Sequence, residues 1–329
     1  MATFAVYIPV GPSLLELARA DDLLDSIETY EPSTKLVILA DHGATARNFA
    51  GLRSRHQQIA IETIKPCRQD HRGTWLGAGC VSNLIVLDVI ASAGDCDFVV
   101  KLDLDALVIA PFANTISHAL AYRPEWGIVG TLGTSANRAT RTYKFDAQSV
   151  YLLRQAIAVS DRLSHGPHDI DNRELVMWNL FTTRQIEDFK DVCRELAPVF
   201  QKGYSGAHCQ GGAYAISRSF VREMKSRGFL NNPLRWLYLP IVEDRMMGVY
   251  CAAVDLALGD FSAPGEPFGV QAGGLPHSPQ ELVDMGYSII HSLKGNNGQS
   301  ESEIRAWYKA RRAGVCATQR VQERQPHEV

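Results

Sequence analysis

The chain opens with a short apolar run, FAVYIPV (4–10), that ends at Gly11-Pro12, a pattern that predicts a buried strand. Ser13 then stands where a helix cap belongs. Leu14, Leu17, Ala18, Leu24 and Ile27 supply the apolar stripe of a helix reaching Tyr30. KLVILAD (35–41) reads as a second strand, and IAIETIK (59–65) as an alternating one stopped by Pro66. A helix is expected from about Leu76 to Ala93, followed by strands at DFVVKLDLD (97–105) and WGIVGT (126–131). This βαβ rhythm predicts an α/β fold whose mostly parallel sheet is covered by helices on both faces.

Beyond Lys144 the pattern becomes polar and helical as far as Val199, around a loop rich in His and Asp, SHGPHDIDNR (164–173). Sheet character returns in GGAYAIS (211–217), followed by a helix to about Arg227. Another helix is expected from near Pro240 to Ala252. Residues 262–286 are rich in Pro and Gly and lead into a last short strand, YSIIH (287–291). Residues 301–312 read as a solvated basic helix, and the final QERQPHEV as a disordered tail. The expected division is a nucleotide-binding half (1–131), an acceptor-binding and catalytic half (132–295), and a polar helix and tail (296–329).

Composition narrows the function class. The 329 residues are 46% hydrophobic and 21% charged, ordinary for a soluble globular protein. A net charge of −3 lacks the Lys and Arg excess of a general nucleic-acid binder. The start, MATFAVYIPVGPS, has no basic region ahead of its apolar run, and Trp75 to Leu87 is too short to span a bilayer. None of the seven cysteines forms a C-x-x-C pair, so reduced thiols in a cytoplasmic protein without a transmembrane anchor are expected.

Four constellations carry candidate chemistry. Three Asp-x-Asp triplets occur, Asp95/Asp97, Asp103/Asp105 and Asp169/Asp171, where chance alone supplies about one. Ligands in such sheets bind beyond the carboxyl ends of the strands. Asp95/Asp97 precedes its strand and lies at the other edge, while Asp169/Asp171 reads as solvated loop or capping residues. Asp103/Asp105 ends an apolar strand, and alternation puts Val99, Lys101, Asp103 and Asp105 on one face. Two carboxylates there repel unless a cation joins them, and a divalent metal holding a diphosphate meets that need. A solvated pair of strand-end acids is the plainer alternative.

Gly211-Gly212 permits close backbone approach, either to a ligand or to another chain segment in a tight bend. Glu243 and Asp244 fall in the first turn of a helix, where the dipole favours acids and where one could also serve as a general base. His291 closes an apolar run, as a core histidine or as a third ligand for manganese or a similar ion. Lys294, one turn on, is placed to neutralise phosphate oxygens.

The order of these blocks resembles the GT-A (Rossmann-like) glycosyltransferases, and among them the β-1,3-galactosyltransferase and Fringe type. LDLDALVIAPF is similar to their acidic triplet with its hydrophobic continuation, GGAYAISRSFV to their Gly-Gly-x-Tyr-x-x-Ser stretch, and EDRMMGVYCA to their Glu-Asp-x-x-x-Gly motif. The resemblance implies that Asp105 binds Mn2+ (or Mg2+) directly, that Asp103 contacts the metal or the ribose, and that His291 is the third ligand. It further implies Asp244 as base of an inverting displacement, with Glu243 capping or orienting beside it. Val10 would lie near the base of a UDP-sugar, Asp41 at its uracil or ribose edge, and a helical insertion (132–200) would shape the pocket for an unidentified hydroxyl acceptor. Departures are the absence of that family's membrane anchor and disulfides, and Leu104 where those enzymes often carry another acid. The late His-x-x-Lys also resembles the retaining glycogenin and lipopolysaccharide galactosyltransferase type, without its Gly-x-x-Lys-Pro-Trp ending. Two other readings of the carboxylates are a nucleotidyltransferase, whose Gly-rich basic loop is missing from VGPSLLE, and a binding module, which needs neither base nor metal.

Overall fold

The structure is a computed structural model that describes residues 2–11, 13–34, 36–41, 46–65, 75–94, 96–132, 183–204, 206–237, 242–295 and 298–323. Asp95, the 164–173 loop with Asp169 and Asp171, most of the expected 132–200 insertion, Pro240 and the terminal tail lie outside the described residues.

A seven-stranded sheet forms the centre, in the order β3-β2-β1-β4-β7-β6-β8. Its strands are β1 (Phe4–Val10), β2 (Leu36–Asp41), β3 (Ile61–Ile64), β4 (Phe98–Leu102), β6 (Trp126–Leu132), β7 (Cys209–Ser217) and β8 (Ala257–Asp260). All run parallel except β7, which is antiparallel to both β4 and β6. A second sheet, β5-β10-β9, joins β5 (Ala106–Val108), β9 (Phe268–Val270) and β10 (Ile289–His291). Among the described residues the helices are α1 (Leu14–Tyr30), α2 (Ala46–Arg55), α3 (Trp75–Ala93), α4 (Ala113–Tyr122), α5 (Thr183–Gln201), α6 (Arg218–Ser226), α7 (Glu243–Ala253), α8 (Pro279–Asp284) and α9 (Glu301–Glu323), with a 3₁₀ turn at Pro233–Trp236.

Alternation along β1 explains why its run is apolar throughout. Phe4, Val6, Ile8 and Val10 pack into a core with Leu23, Leu24 and Ile27 of α1, while Ala5 and Tyr7 join a second core with α3 and α7. Both faces are therefore covered, and each fully buried Val, Ile or Phe contributes about 1.5–3 kcal/mol. The expected mixed α/β architecture with a mostly parallel sheet is the one observed.

Several local expectations need correction. β4 stops at Leu102, so Asp103 and Asp105 do not continue its face. A turn closed by the Ala106 N–H donating to the Asp103 carbonyl takes the chain out of the large sheet and into the small one. Ser13 does cap α1, with Glu16 completing a capping box, but Leu14 is 82% exposed and leaves the apolar stripe. The buried face instead runs through Ala20, Leu23, Leu24 and Ile27. Nothing in the hydrophobic pattern announced α2 or α4. The N-terminal end of α4 is held from afar, the buried Glu31 carboxylate accepting from the N–H groups of Phe112 and Ala113. The expected solvated basic helix extends to Glu323, and Ile304, Tyr308 and Arg312 on it are buried. Among the described residues no helix is long and apolar enough to cross a membrane.

Candidate active site

The carboxyl edge of the central sheet gathers the candidate residues from six segments. Asp103 and Asp105 arrive on the turn after β4. His291 ends β10, and the antiparallel pairing that sets His291 opposite Ala106 carries its ring to Asp105. Its Nε2 lies 3.3 Å from Asp105 Oδ1. One donor atom from each of Asp103, Asp105 and His291 lies within 4.8 Å of the others, a spacing that one cation could share. His291 is further prepared for such a role. Its Nδ1 sits 2.9 Å from the Gln271 carbonyl, which only accepts, so this nitrogen carries a proton and Nε2 is the ring atom turned toward Asp105.

Asp105 is buried, and that burial alone would raise its pKa. The contacts of His291, of Ser292 (Oγ donating at 2.6 Å) and of Lys294 (Nζ at 2.9 Å) outweigh it and hold the carboxyl well below its usual range. Asp105 is thus ionised at neutral pH. Lys294 is largely exposed, free to exchange Asp105 for another anion.

Lys101, the penultimate residue of β4, is the residue whose weight sequence reasoning missed. Its ammonium is almost fully buried and donates to Asp103 (2.6 Å), Glu243 (3.0 Å) and the Gly211 carbonyl, with the Tyr214 ring 5.7 Å away. Burial works against the charge, but Asp103 and Glu243 outweigh it and raise the lysine well above its ordinary value. A lysine inside an otherwise apolar strand was the available signal.

Glu243 and Asp244 open α7, and their side chains diverge as successive helical positions must. Glu243 faces Lys101. Asp244 accepts from the N–H groups of Gly211 (3.1 Å) and Arg245 (2.8 Å), with His208 Nε2 at 3.9 Å. Burial raises the Asp244 pKa, with His208 opposing and Glu243 adding to the effect. A carboxylate of raised pKa is a stronger proton acceptor.

The two glycines have a structural reason. A Cβ on Gly212 would stand 2.2 Å from the His291 ring, and one on Gly211 would stand 2.9 Å from Glu243. Their close approach is to other site residues. Val10 ends β1 opposite Asp41 at the same edge, but its side chain is fully buried, leaving only its backbone to meet a ligand. Asp41 is placed by its backbone at that edge.

No family model and no curated protein matches the chain in sequence. Solved structures do match in shape. The bifunctional glycosyltransferase WbbM, solved in its apo form, is 11% identical over 91% of this chain and 46% of its own, with a TM-score of 0.50. The chain therefore spans about half the length of that protein. The galactosyltransferase LgtC, in complex with donor and acceptor sugar analogues, is 12% identical over 95% of both chains at a TM-score of 0.46. A mannosyltransferase from Pyrobaculum calidifontis, in complex with GDP-Man and Mn2+, is 11% identical over 98% of this chain and 64% of its own at 0.40. At such identities the WbbM likeness shows a shared fold, that of the GT-A glycosyltransferases.

Proposed function

We propose that the chain is a metal-dependent glycosyltransferase that moves a sugar from a nucleotide-sugar, UDP-linked by preference, to a hydroxyl acceptor. The observation that carries this reading is the meeting of Asp103, Asp105 and His291 within 4.8 Å at the ligand-binding edge of a glycosyltransferase fold, beside Glu243 and Asp244. The donor set, two carboxylates and a neutral imidazole, fits Mn2+ or Mg2+, with Mn2+ better matched to the nitrogen ligand. When bound there, the ion supplies positive charge for the diphosphate leaving group.

The protein's own residues have separable tasks. Asp105 and His291 hold the cation, and Asp103, already paired to Lys101, completes the set or meets the ribose. Lys294 releases Asp105 and adds positive charge to phosphate oxygens. Asp244 takes the proton from the attacking hydroxyl, its raised pKa suiting it to that step, and attack from the face opposite the nucleotide inverts the anomeric carbon. Glu243 is held by Lys101 and orients the acceptor side of the cleft. The N-terminal strands with Val10 and Asp41 receive the nucleoside.

Calorimetry of UDP-, GDP- and CDP-sugars with Mn2+ and with EDTA tests the reading. Mn2+-dependent binding of one donor is expected, and equal affinity in EDTA would end it. Asp244→Asn is expected to lower kcat by about 10²–10⁴ with donor affinity nearly unchanged. Full turnover by that variant, or a product retaining the donor's anomeric configuration, would remove Asp244 from the role.

A further inference from the structure

The turn that carries the two acids is held at each of its three residues by a different element. The Asp103 N–H donates to the Gly212 carbonyl of β7 at 2.9 Å. The Asp105 carbonyl accepts from the Leu293 N–H, just past β10, also at 2.9 Å. Between them the Leu104 carbonyl accepts from Arg305 Nη2 at 2.8 Å, and Arg305 belongs to α9, some two hundred residues away in the chain. The same guanidinium donates to Glu301 (2.8 Å) and to Asp22 of α1 (2.6 Å).

We propose that Arg305 is a positioning residue for the metal site, and that α9 is through it part of that site rather than an appendage. The inference rests on the metal-dependent reading above. The Leu104 carbonyl belongs to the rigid peptide plane from which Asp105 departs, so fixing that oxygen sets the direction in which the Asp105 carboxylate leaves the backbone. A guanidinium suits the task because its planar fork reaches three acceptors in different directions at once, which a lysine ammonium on a flexible stem does not reproduce.

Charge does not account for the arrangement. Arg19, Arg305 and Arg312 are matched by Glu301, Asp22 and Asp25, so the cluster neither attracts nor repels a nearby cation strongly. What is left is geometry.

Arg312 provides an internal control. It lies on the same helix, is buried, and pairs with Asp22 and with Asp25 (3.0 Å), so it docks α9 onto α1. None of its hydrogen bonds reaches the 103–105 turn. Mn2+ binding to the full chain should be titrated by loss of the free-ion electron paramagnetic resonance signal, for wild type, Arg305→Met, Arg305→Lys and Arg312→Met. Loss of an outer partner of a metal site costs about 10–100-fold in affinity, which is the weakening expected for Arg305→Met. Arg305→Lys keeps a cation between Glu301 and Asp22, so it should remain folded while still binding Mn2+ several-fold more weakly. Arg312→Met should lower Tm and leave the affinity at wild-type level. Unchanged affinity in both Arg305 variants would overturn the proposal, as would equal weakening by Arg312→Met. Absence of Mn2+ binding by the wild type would instead overturn the metal reading on which it rests.

Discussion

Two clusters in this molecule each combine one buried histidine with two carboxylates, and they are built for different ends. At the carboxyl edge of the sheet, His291 meets Asp105 and Asp103 with its Nδ1 committed to the Gln271 carbonyl. Where the chain leaves α2 and heads for β3, at the opposite edge, His56 sits between Glu28 (2.8 Å to Nδ1) and Asp21 (3.0 Å to Nε2). Both of its ring nitrogens face carboxylates, Asp21 is shared with Arg55, and Glu28 also accepts from the Gln58 N–H. The two carboxylates of that cluster are answered by Arg55 and the His56 ring, and it ties α1 to the end of α2. At His291 the carbonyl fixes the tautomer, leaving Nε2 and two acids turned toward a common point. Residue type and burial do not separate these sites. The partner of the second ring nitrogen, and the edge of the sheet, do.

The comparison can be broken by mutation. Asp105→Ala should have the largest effect, removing a direct ligand. Mn2+ affinity should fall by more than the roughly 10–100-fold that an outer partner costs. Retained Mn2+ binding in calorimetry would mean that the ion sits elsewhere. Gly212→Ala comes next. Its methyl group would meet the His291 ring, costing about 1–3 kcal/mol of stability by overpacking, and displacing the ring should weaken Mn2+ binding about tenfold. Thermal melting and an Mn2+ titration on the same sample would check both, and unchanged Mn2+ affinity would show that the ring's position is not needed. His56→Ala should have the smallest effect on the metal, namely none, while losing about 1 kcal/mol from the contacts that Glu28 and Asp21 make to the ring. If His56→Ala weakened Mn2+ binding as much as Gly212→Ala, the distinction between the two clusters would fail.

Much of this protein could be read from local chemistry. The uninterrupted apolar runs at 4–10 and 36–40 required strands buried on both faces, and the parallel α/β class followed from them. The Ser13 cap, with Glu16 three residues on, marked the start of α1 because it satisfies the first free N–H groups of a helix. The acidic triplet, the glycine pair, the Glu-Asp helix start and the late histidine were all visible as residues, since each is a chemical type in a local context. Their mutual placement was not, because it depends on contacts between segments far apart in the chain. Only the tertiary structure ended β4 at Leu102, since the pull on the next residues comes from β10, whose pairing with β5 lies about 180 residues downstream. Alternation within one segment cannot report such a partner. Gly212 likewise looked like a turn or a ligand contact until the His291 ring was found against it. The basic stripe of α9 reads as solvent-facing because arginine usually is, and its burial was decided by acids on α1 that no local pattern connects to it. Types of residue and periods of burial are written locally, whereas a site made from six segments exists only once long-range packing has brought them to one edge.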